Sequence, residues 1–426
     1  YQALHAAPTD LPKNLFDLYP ARLEDEGVSP KNHLDLSKVN AEFSWPELCE
    51  AASSMPAYKA AGPTGMQVAW LKVAVDKKVD GAYPAAPQSK MGKVLLTLCN
   101  SMFLHHTIPE RLNETFVVPI HKAGAKDNMD NYRGISLIDS ILKLVCTIIN
   151  NRLQLLAAPK LSPRQGGFRK GEECVSQVAA FLEICSRRPV DLPYCAIFVD
   201  LRKAFDTVPH NLLLQKIAMF GIRGTTWKFL QALYAGSLAS VRDHTFGHHG
   251  NTFPLARGVR QGDPLSPLMF NIFIDDVFTT NALGINSGLL FADDMVIFAL
   301  GPEGVRDSLS SLEMWLEKNG MKANASKCGI MLAHNAPETH HVQQLLKDAA
   351  ALNPFSLCGA TVPVVDSYTY LGLDMHFTLA SKFMTAGRVE AARKSIKAIA
   401  TFCSNQAYPL AAKVKLIKTV AIPKLS

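Results

Sequence analysis

Apolar positions along the chain repeat with two periods. Ile141, Leu144, Val145, Ile148 and Ile149 share one face, predicting a helix from Ile141. Val305, Leu309, Leu312 and Leu316 form a second stripe across 304–319, with Gly320 as its stop. Leu213, Ile217 and Phe220 mark a third at about 209–220, ended by Gly221. Segments 91–106, 172–187 and 225–238 and the stretch from Met66 also read as helices, and Pro264 and Pro267 open one running to about 279. Short apolar runs at Phe116–Ile120, 195–200, Lys327–Leu332 and Tyr368–Leu373 read as strands. The runs on either side of Asp293-Asp294 read as the two arms of a hairpin. From 195 to 373 the order strand, helix, hairpin, helix, strand predicts an α+β layer, an antiparallel sheet backed by helices. A doubly wound nucleotide fold fits less well, because no Gly-rich loop follows any strand. Residues 1–56 are mixed and punctuated by proline, and there is no internal repeat or low-complexity tract.

Composition narrows the class. A chain of 426 residues is long enough for two or three domains, and a hydrophobic fraction of 48% excludes wholesale disorder. No apolar run is long enough to span a membrane. The chain opens without Met or a signal pattern, and we expect it to be an excised piece of a longer protein. Nine scattered cysteines without a close Cys-x-x-Cys pair predict buried, reduced thiols in an intracellular protein rather than a zinc site.

The net charge of +7 is unevenly placed. Residues 376–426 carry nine Lys/Arg, Lys424 among them, and only Glu390 as an acid, so this segment alone holds a charge of 9 − 1 = +8. A helical segment with this excess predicts a surface that tracks a phosphate backbone; the bland reading is a solvated amphipathic face.

The strongest chemical signal is acid inside apolar sequence. Asp200 ends the run Cys195-Ala-Ile-Phe-Val-Asp200, and Asp293 and Asp294 interrupt Gly288-Leu-Leu-Phe-Ala-Asp-Asp-Met-Val-Ile-Phe-Ala299. Carboxylates in such surroundings are costly unless a partner offsets their desolvation. An Asp-rich hairpin turn is the bland alternative, but no Gly or Asn stands beside this pair. Two carboxylate sites converging on divalent metal suit nucleotidyl transfer. A third segment, Gly258-Val-Arg-Gln-Gly-Asp-Pro-Leu-Ser-Pro267, is stiffened by its prolines, and Gly262 permits close backbone approach to a ligand.

These residues resemble the reverse transcriptases of non-LTR (LINE-type) retrotransposons. The resemblance rests on Phe198-Val-Asp-Leu-Arg-Lys-Ala-Phe-Asp-Thr-Val-Pro209, Arg260-Gln-Gly-Asp-Pro-Leu-Ser-Pro267 and Phe291-Ala-Asp-Asp294. It continues upstream in Ala61-Gly-Pro-Thr-Gly65, Val118-Pro-Ile-His-Lys122, Asn131-Tyr-Arg-Gly-Ile-Ser-Leu137, Asn151-Arg-Leu153 and Gln165-Gly-Gly-Phe-Arg169. Downstream it includes Asn319-Gly-Met-Lys-Ala-Asn-Ala-Ser-Lys-Cys328 and Tyr368-Thr-Tyr-Leu-Gly372, so that roughly residues 57–375 are covered in order. Two positions depart from the family pattern: Gly134 stands where many relatives have Pro, and Glu172-Glu173 stands where more basic or small residues are common.

The resemblance implies a right-hand polymerase, with an N-terminal extension at 1–56, fingers at 57–190, a palm at 191–375 and a partial helical thumb at 376–426. It implies that Asp200, Asp293 and Asp294 bind two Mg²⁺ ions, Mn²⁺ being a possible substitute, with help from the Leu201 carbonyl. Phe205 matches the aromatic gate against a ribose 2′-OH. Gln261 and Gly262 match the loop under the incoming nucleotide, Lys122 and Arg133 the cations that grip its triphosphate, and Lys327 the palm lysine near the leaving pyrophosphate. Tyr370, Leu371 and Gly372 match the loop that positions the primer end, and Arg393, Lys394 and Lys397 fall in the expected thumb. The implied partners are an RNA template, a DNA primer and dNTPs, with no membrane and with nuclear and cytoplasmic localisation. Two other readings stay open: a silent RNA-binding remnant, which retention of all three carboxylates and Gln261 disfavours, and an intron-maturase-type enzyme. RNA-templated RNA synthesis is disfavoured by Phe205.

Overall fold

The computed structural model describes residues 31–122, 124–188, 194–242, 250–278, 287–334, 339–405 and 409–420. The first thirty residues, the expected end of a helix near 279 and Lys424 lie outside the described residues. The strands are β1 (Glu114–His121), β2 (Tyr132–Ile138), β3 (Tyr194–Val199), β4 (Leu238–Val241), β5 (Phe253–Pro254), β6 (Gly288–Phe291), β7 (Asp294–Leu300), β8 (Gly329–Ala333), β9 (Ser356–Leu357), β10 (Ala360–Thr361), β11 (Ser367–Tyr370) and β12 (Leu373–His376). The chain divides into two compact units, one of residues 1–169, 202–277 and 316–321, the other of 170–201, 278–315 and 322–426.

The first unit is helix-rich and carries the sheet β2-β1-β4-β5. β1 pairs antiparallel with β2 and parallel with β4. The helix Ser140–Leu156 forms where its apolar stripe predicts, and Asp139 caps it by accepting from the Ile141 amide at 2.8 Å. The helix Trp45–Ser54 starts with a capping box between Ser44 and Glu47. Arg152 then ties this helix down: its guanidinium donates to the Glu47 carboxylate and to the carbonyls of Val39, Ala41 and Glu42. Burial alone would raise the Glu47 pKa, but the Arg152 and Ser44 donors outweigh it and lower it to about 2. The helix His210–Phe220 ends at Gly221, whose φ of 119° only glycine adopts without strain.

The second unit carries the all-antiparallel sheet β6-β7-β3-β8, as the element order predicted. On one face Ala196, Phe198, Leu289, Val296, Phe298, Met331 and Ala333 pack with Val178, Phe181 and Cys185 of the helix Cys174–Ser186. Strand residues of the opposite parity, such as Ile197, Leu290, Ile297 and Ile330, are buried too, which is why these strands read as continuous apolar runs. The run Tyr368–Leu373 is not a single strand: it breaks into the β11–β12 hairpin because Leu371 and Gly372 take left-handed φ of 49° and 77°. Lys327 does not lie in a strand either; it ends the 3₁₀ turn Ala325–Lys327 before β8. The nine cysteines are free in the structure; six are buried as expected, whereas Cys174 and Cys358 are exposed and Cys403 is half-buried. No described helix is long and apolar enough to cross a membrane.

Candidate active site

In the second unit the three carboxylates stand near one end of the sheet. β3 and β7 pair as far as Val199↔Met295, so Asp200, which follows Val199, and Asp294, which precedes Met295, both lie just past the last pair of this ladder. β6 and β7 close through Phe291↔Asp294, so Ala292 and Asp293 form a two-residue turn. Ala292 sits at a φ of 58°, a conformation costly for a residue with a Cβ. The turn therefore holds strain at the point where the acidic pair is presented.

The charges feel one another. The Asp294 pKa is raised to about 6, first by desolvation and then by the negative charges of Asp293 and Asp200. Asp294 keeps solvent access, so the packed protein on its inner side is what withdraws water. Among the described residues no group of three His, Cys, Asp or Glu is drawn close enough to hold a metal ion. The donor chemistry nonetheless fits a hard divalent cation: three mutually repelling carboxylates are relieved by Mg²⁺ or Mn²⁺.

Asp200 is fixed through its backbone. Its amide donates to the Cys328 sulfur at 3.4 Å, and its carbonyl accepts from the Asn324 amide at 2.8 Å. Cys328 in turn donates to the Asn324 carbonyl at 3.4 Å. Burial, with a smaller effect of the Asp200 charge, pushes the Cys328 thiol up to about 11, so it stays neutral beside the carboxylates. Leu201, expected to offer a carbonyl to metal, pairs with Ala323 in an isolated antiparallel bridge. Lys327 is exposed, and its carbonyl accepts from the Tyr368 hydroxyl at 3.0 Å. Tyr368 lies flat on Phe198, with ring centroids 4.4 Å apart. Gln177 donates to the Leu290 carbonyl at 2.9 Å and so braces the β6 arm of the acidic hairpin. Asn324, Cys328 and Tyr368 lie inside motifs the sequence offered, but no role was assigned to them, and Gln177 lies in none; their roles come from partners distant along the chain.

The Tyr370 side chain is buried against Phe181 and Phe198. It is a footing for the β11–β12 hairpin, whose tip is formed by Leu371-Gly372. Arg393, Lys394 and Lys397 are exposed on the helix Ser381–Ser404.

The first unit gathers the remaining candidates. Gln261 and Gly262 lie against β2: the Ser136 amide donates to the Gln261 carbonyl at 2.8 Å. A Cβ at Gly262 would come within 2.7 Å of the Ser136 carbonyl oxygen, and its φ is 125°, so only glycine allows this approach. The loop is anchored from beneath by buried Arg260, which donates to the Ser237 hydroxyl and to the carbonyl and side chain of Asn113. The Gln261 side-chain amide donates to Asp206 at 2.7 Å. Phe205, next to it, stacks on Phe270 at 4.3 Å and meets Phe168 edge-on at 6.0 Å. Lys122 and Arg133 both lie at the loop end of the β1–β2 hairpin and both are exposed: Arg133 pairs with Ile120, and the Lys122 amide donates to the Asn131 carbonyl.

Residues 120–375, 256 of the 426, match the family model described as reverse transcriptase (RNA-dependent DNA polymerase). The chain belongs to the reverse transcriptase family. Its acidic strand end, acidic hairpin and Gln-Gly loop all fall inside the matched span of that family. Among similar proteins is a Pol polyprotein of the type-1 retrotransposable element R2 of Popillia japonica, 29% identical over 52% of this chain and 32% of that protein. A probable RNA-directed DNA polymerase from transposon BS of Drosophila melanogaster is 28% identical over 66% of this chain and 31% of its own length. The RNA-directed DNA polymerase from mobile element jockey of Drosophila melanogaster is 25% identical over 78% of this chain and 36% of its own. The match thus spans about a third of each of these curated relatives.

Proposed function

We propose that this chain is the polymerase segment of a non-LTR retrotransposon protein, extending a primer 3′-OH along an RNA template with dNTPs. The observation that carries the reading is the placing of Asp200 and Asp294 at the same end of the β3–β7 ladder, beside Asp293 at a strained hairpin tip, with the charges of Asp200 and Asp293 acting on Asp294. The segments 57–190, 191–375 and 376–426 would act as fingers, palm and partial thumb.

In the reaction, the primer oxygen forms a bond to the α-phosphorus as the bond to pyrophosphate breaks, and the hydroxyl proton leaves to solvent. Two Mg²⁺ ions, held by Asp200, Asp293, Asp294 and the Leu201 carbonyl, would supply hydroxyl activation and charge neutralisation. The chain's own part is positioning. Gln261 and Gly262 support the incoming nucleotide, Phe205 rejects a 2′-OH, Lys122 and Arg133 grip the triphosphate, and Lys327 donates a proton to the leaving pyrophosphate. Leu371 and Gly372 seat the primer end.

Primer extension on an RNA template with dNTPs and Mg²⁺ tests this, beside an Asp293→Asn/Asp294→Asn control. Extension by the parent that the control abolishes supports the reading. Template-primer binding without extension would replace it with the silent RNA-binding protein.

A further inference from the structure

We propose that Arg388 contacts a backbone phosphate of nucleic acid held at the β11–β12 hairpin. The inference rests on the polymerase reading above and adds to it a residue that no motif marked. Both hairpin turn residues, Leu371 and Gly372, are left-handed, so the tip is tight and follows the twist of its strands. The helix Ser381–Ser404 lies directly against this hairpin. A Cβ at Gly387 would come within 2.6 Å of Asp374 Oδ2 on β12, so the helix backbone meets the side chain of the hairpin strand at close range. One residue on, Arg388 Nη2 lies 3.4 Å from where a Gly372 Cβ would stand. The guanidinium is thus parked at the hairpin tip, and the bare Gly372 leaves the approach open.

Position on the helix separates Arg388 from its basic neighbours. Met384 and Ala392, four residues to either side, are buried, so Arg388 sits on the packed face. Lys382, Arg393, Lys394 and Lys397 are exposed, and solvation explains them. Solvation does not explain Arg388. Its Nε is shielded from solvent and has no hydrogen-bond partner among the described residues. One oxygen of the Asp374 carboxylate, Oδ1, accepts from the Thr369 hydroxyl at 2.7 Å, and no described hydrogen bond joins Asp374 to Arg388 Nε. A half-buried donor without an acceptor is costly, and an apolar side chain would pack this face more cheaply. A planar fork of donors held at an open turn suits a doubly oxygenated anion such as a phosphodiester.

The test is binding of an RNA template annealed to a DNA primer, without dNTPs, across a salt series, for the parent, Arg388→Met and Arg388→Lys. Loss of one phosphate contact lowers affinity several-fold and flattens the plot of log K against log salt by about one ion. Arg388→Lys keeps the charge but not the fork, so it retains the slope and recovers only part of the affinity. An unchanged slope in Arg388→Met overturns the proposal, because a packing role would alter melting temperature but not ion release. If Arg388→Met fails to fold, Arg388→Lys decides, and affinity equal to the parent's overturns it. A parent that extends primers while its variants bind like it removes this inference alone. A parent that neither binds nor extends removes the polymerase reading and this inference together.

Discussion

Gln261 donates its side-chain amide to the Asp206 carboxylate at 2.7 Å, which ties the Gln-Gly loop to the one-turn helix Ala204–Thr207 that carries Phe205. Hydrogen bonds to charged groups contribute about 1.5–3 kcal/mol. Asp206→Ala should therefore raise the KM for dNTP about tenfold or more, by the same energy scale. Template-primer affinity should hold. Steady-state dNTP titrations decide it, and an unchanged KM would show that the bond does not set the loop.

Gly262→Ala places a methyl group against the Ser136 carbonyl in a left-handed conformation. Strain of this kind costs about 1–3 kcal/mol before the overlap is counted. The melting temperature should fall and dNTP use should weaken. A variant that melts like the parent would mean that the loop relaxes away from β2 without cost.

The raised pKa of Asp294, about 6, sets a pH window for cation binding. Below it the carboxyl holds a proton that a cation must displace, so divalent-cation affinity should be full above about pH 6 and fall as pH drops through it. Without a cation the sign for stability is the reverse. Between the ordinary value of 3.8 and about 6 the folded state binds a proton that the unfolded chain has released, so stability declines as pH rises through that window. Thermal shifts with and without Mg²⁺, recorded on both sides of the window, check both signs. Asp200→Asn should narrow it by removing one repelling charge.

Glu47 behaves in the opposite sense. Its pKa is lowered from 4.5 to about 2, so its pairing with Arg152 stabilises fully above pH 4.5 and is lost as pH falls towards 2. Acid melts of the parent should lose stability in that interval, and Arg152→Met should lose less there because the carboxylate has already lost its partner. Parallel acid curves for the two proteins would count against the pair.

Much of this protein is written locally. The stripe from Ile141 to Ile149 determines a helix, Gly221 ends another, and apolar arms around Asp293-Asp294 determine a hairpin, because each depends only on near neighbours. The ordered motifs likewise determined the family. Pairing between distant segments decided the rest. The helix begun at Thr225 stops at Ala235 because Leu238–Val241 pairs with β1, more than a hundred residues earlier in the chain. The run from Tyr368 splits at a turn whose left-handed residues only the folded hairpin specifies. The placing of Asp200 and Asp294 at the same end of the β3–β7 ladder, the hold of Asn324 and Cys328 on Asp200, and the seat of Arg388 beside Gly372 all arise from register and packing, which no local pattern of residue types encodes.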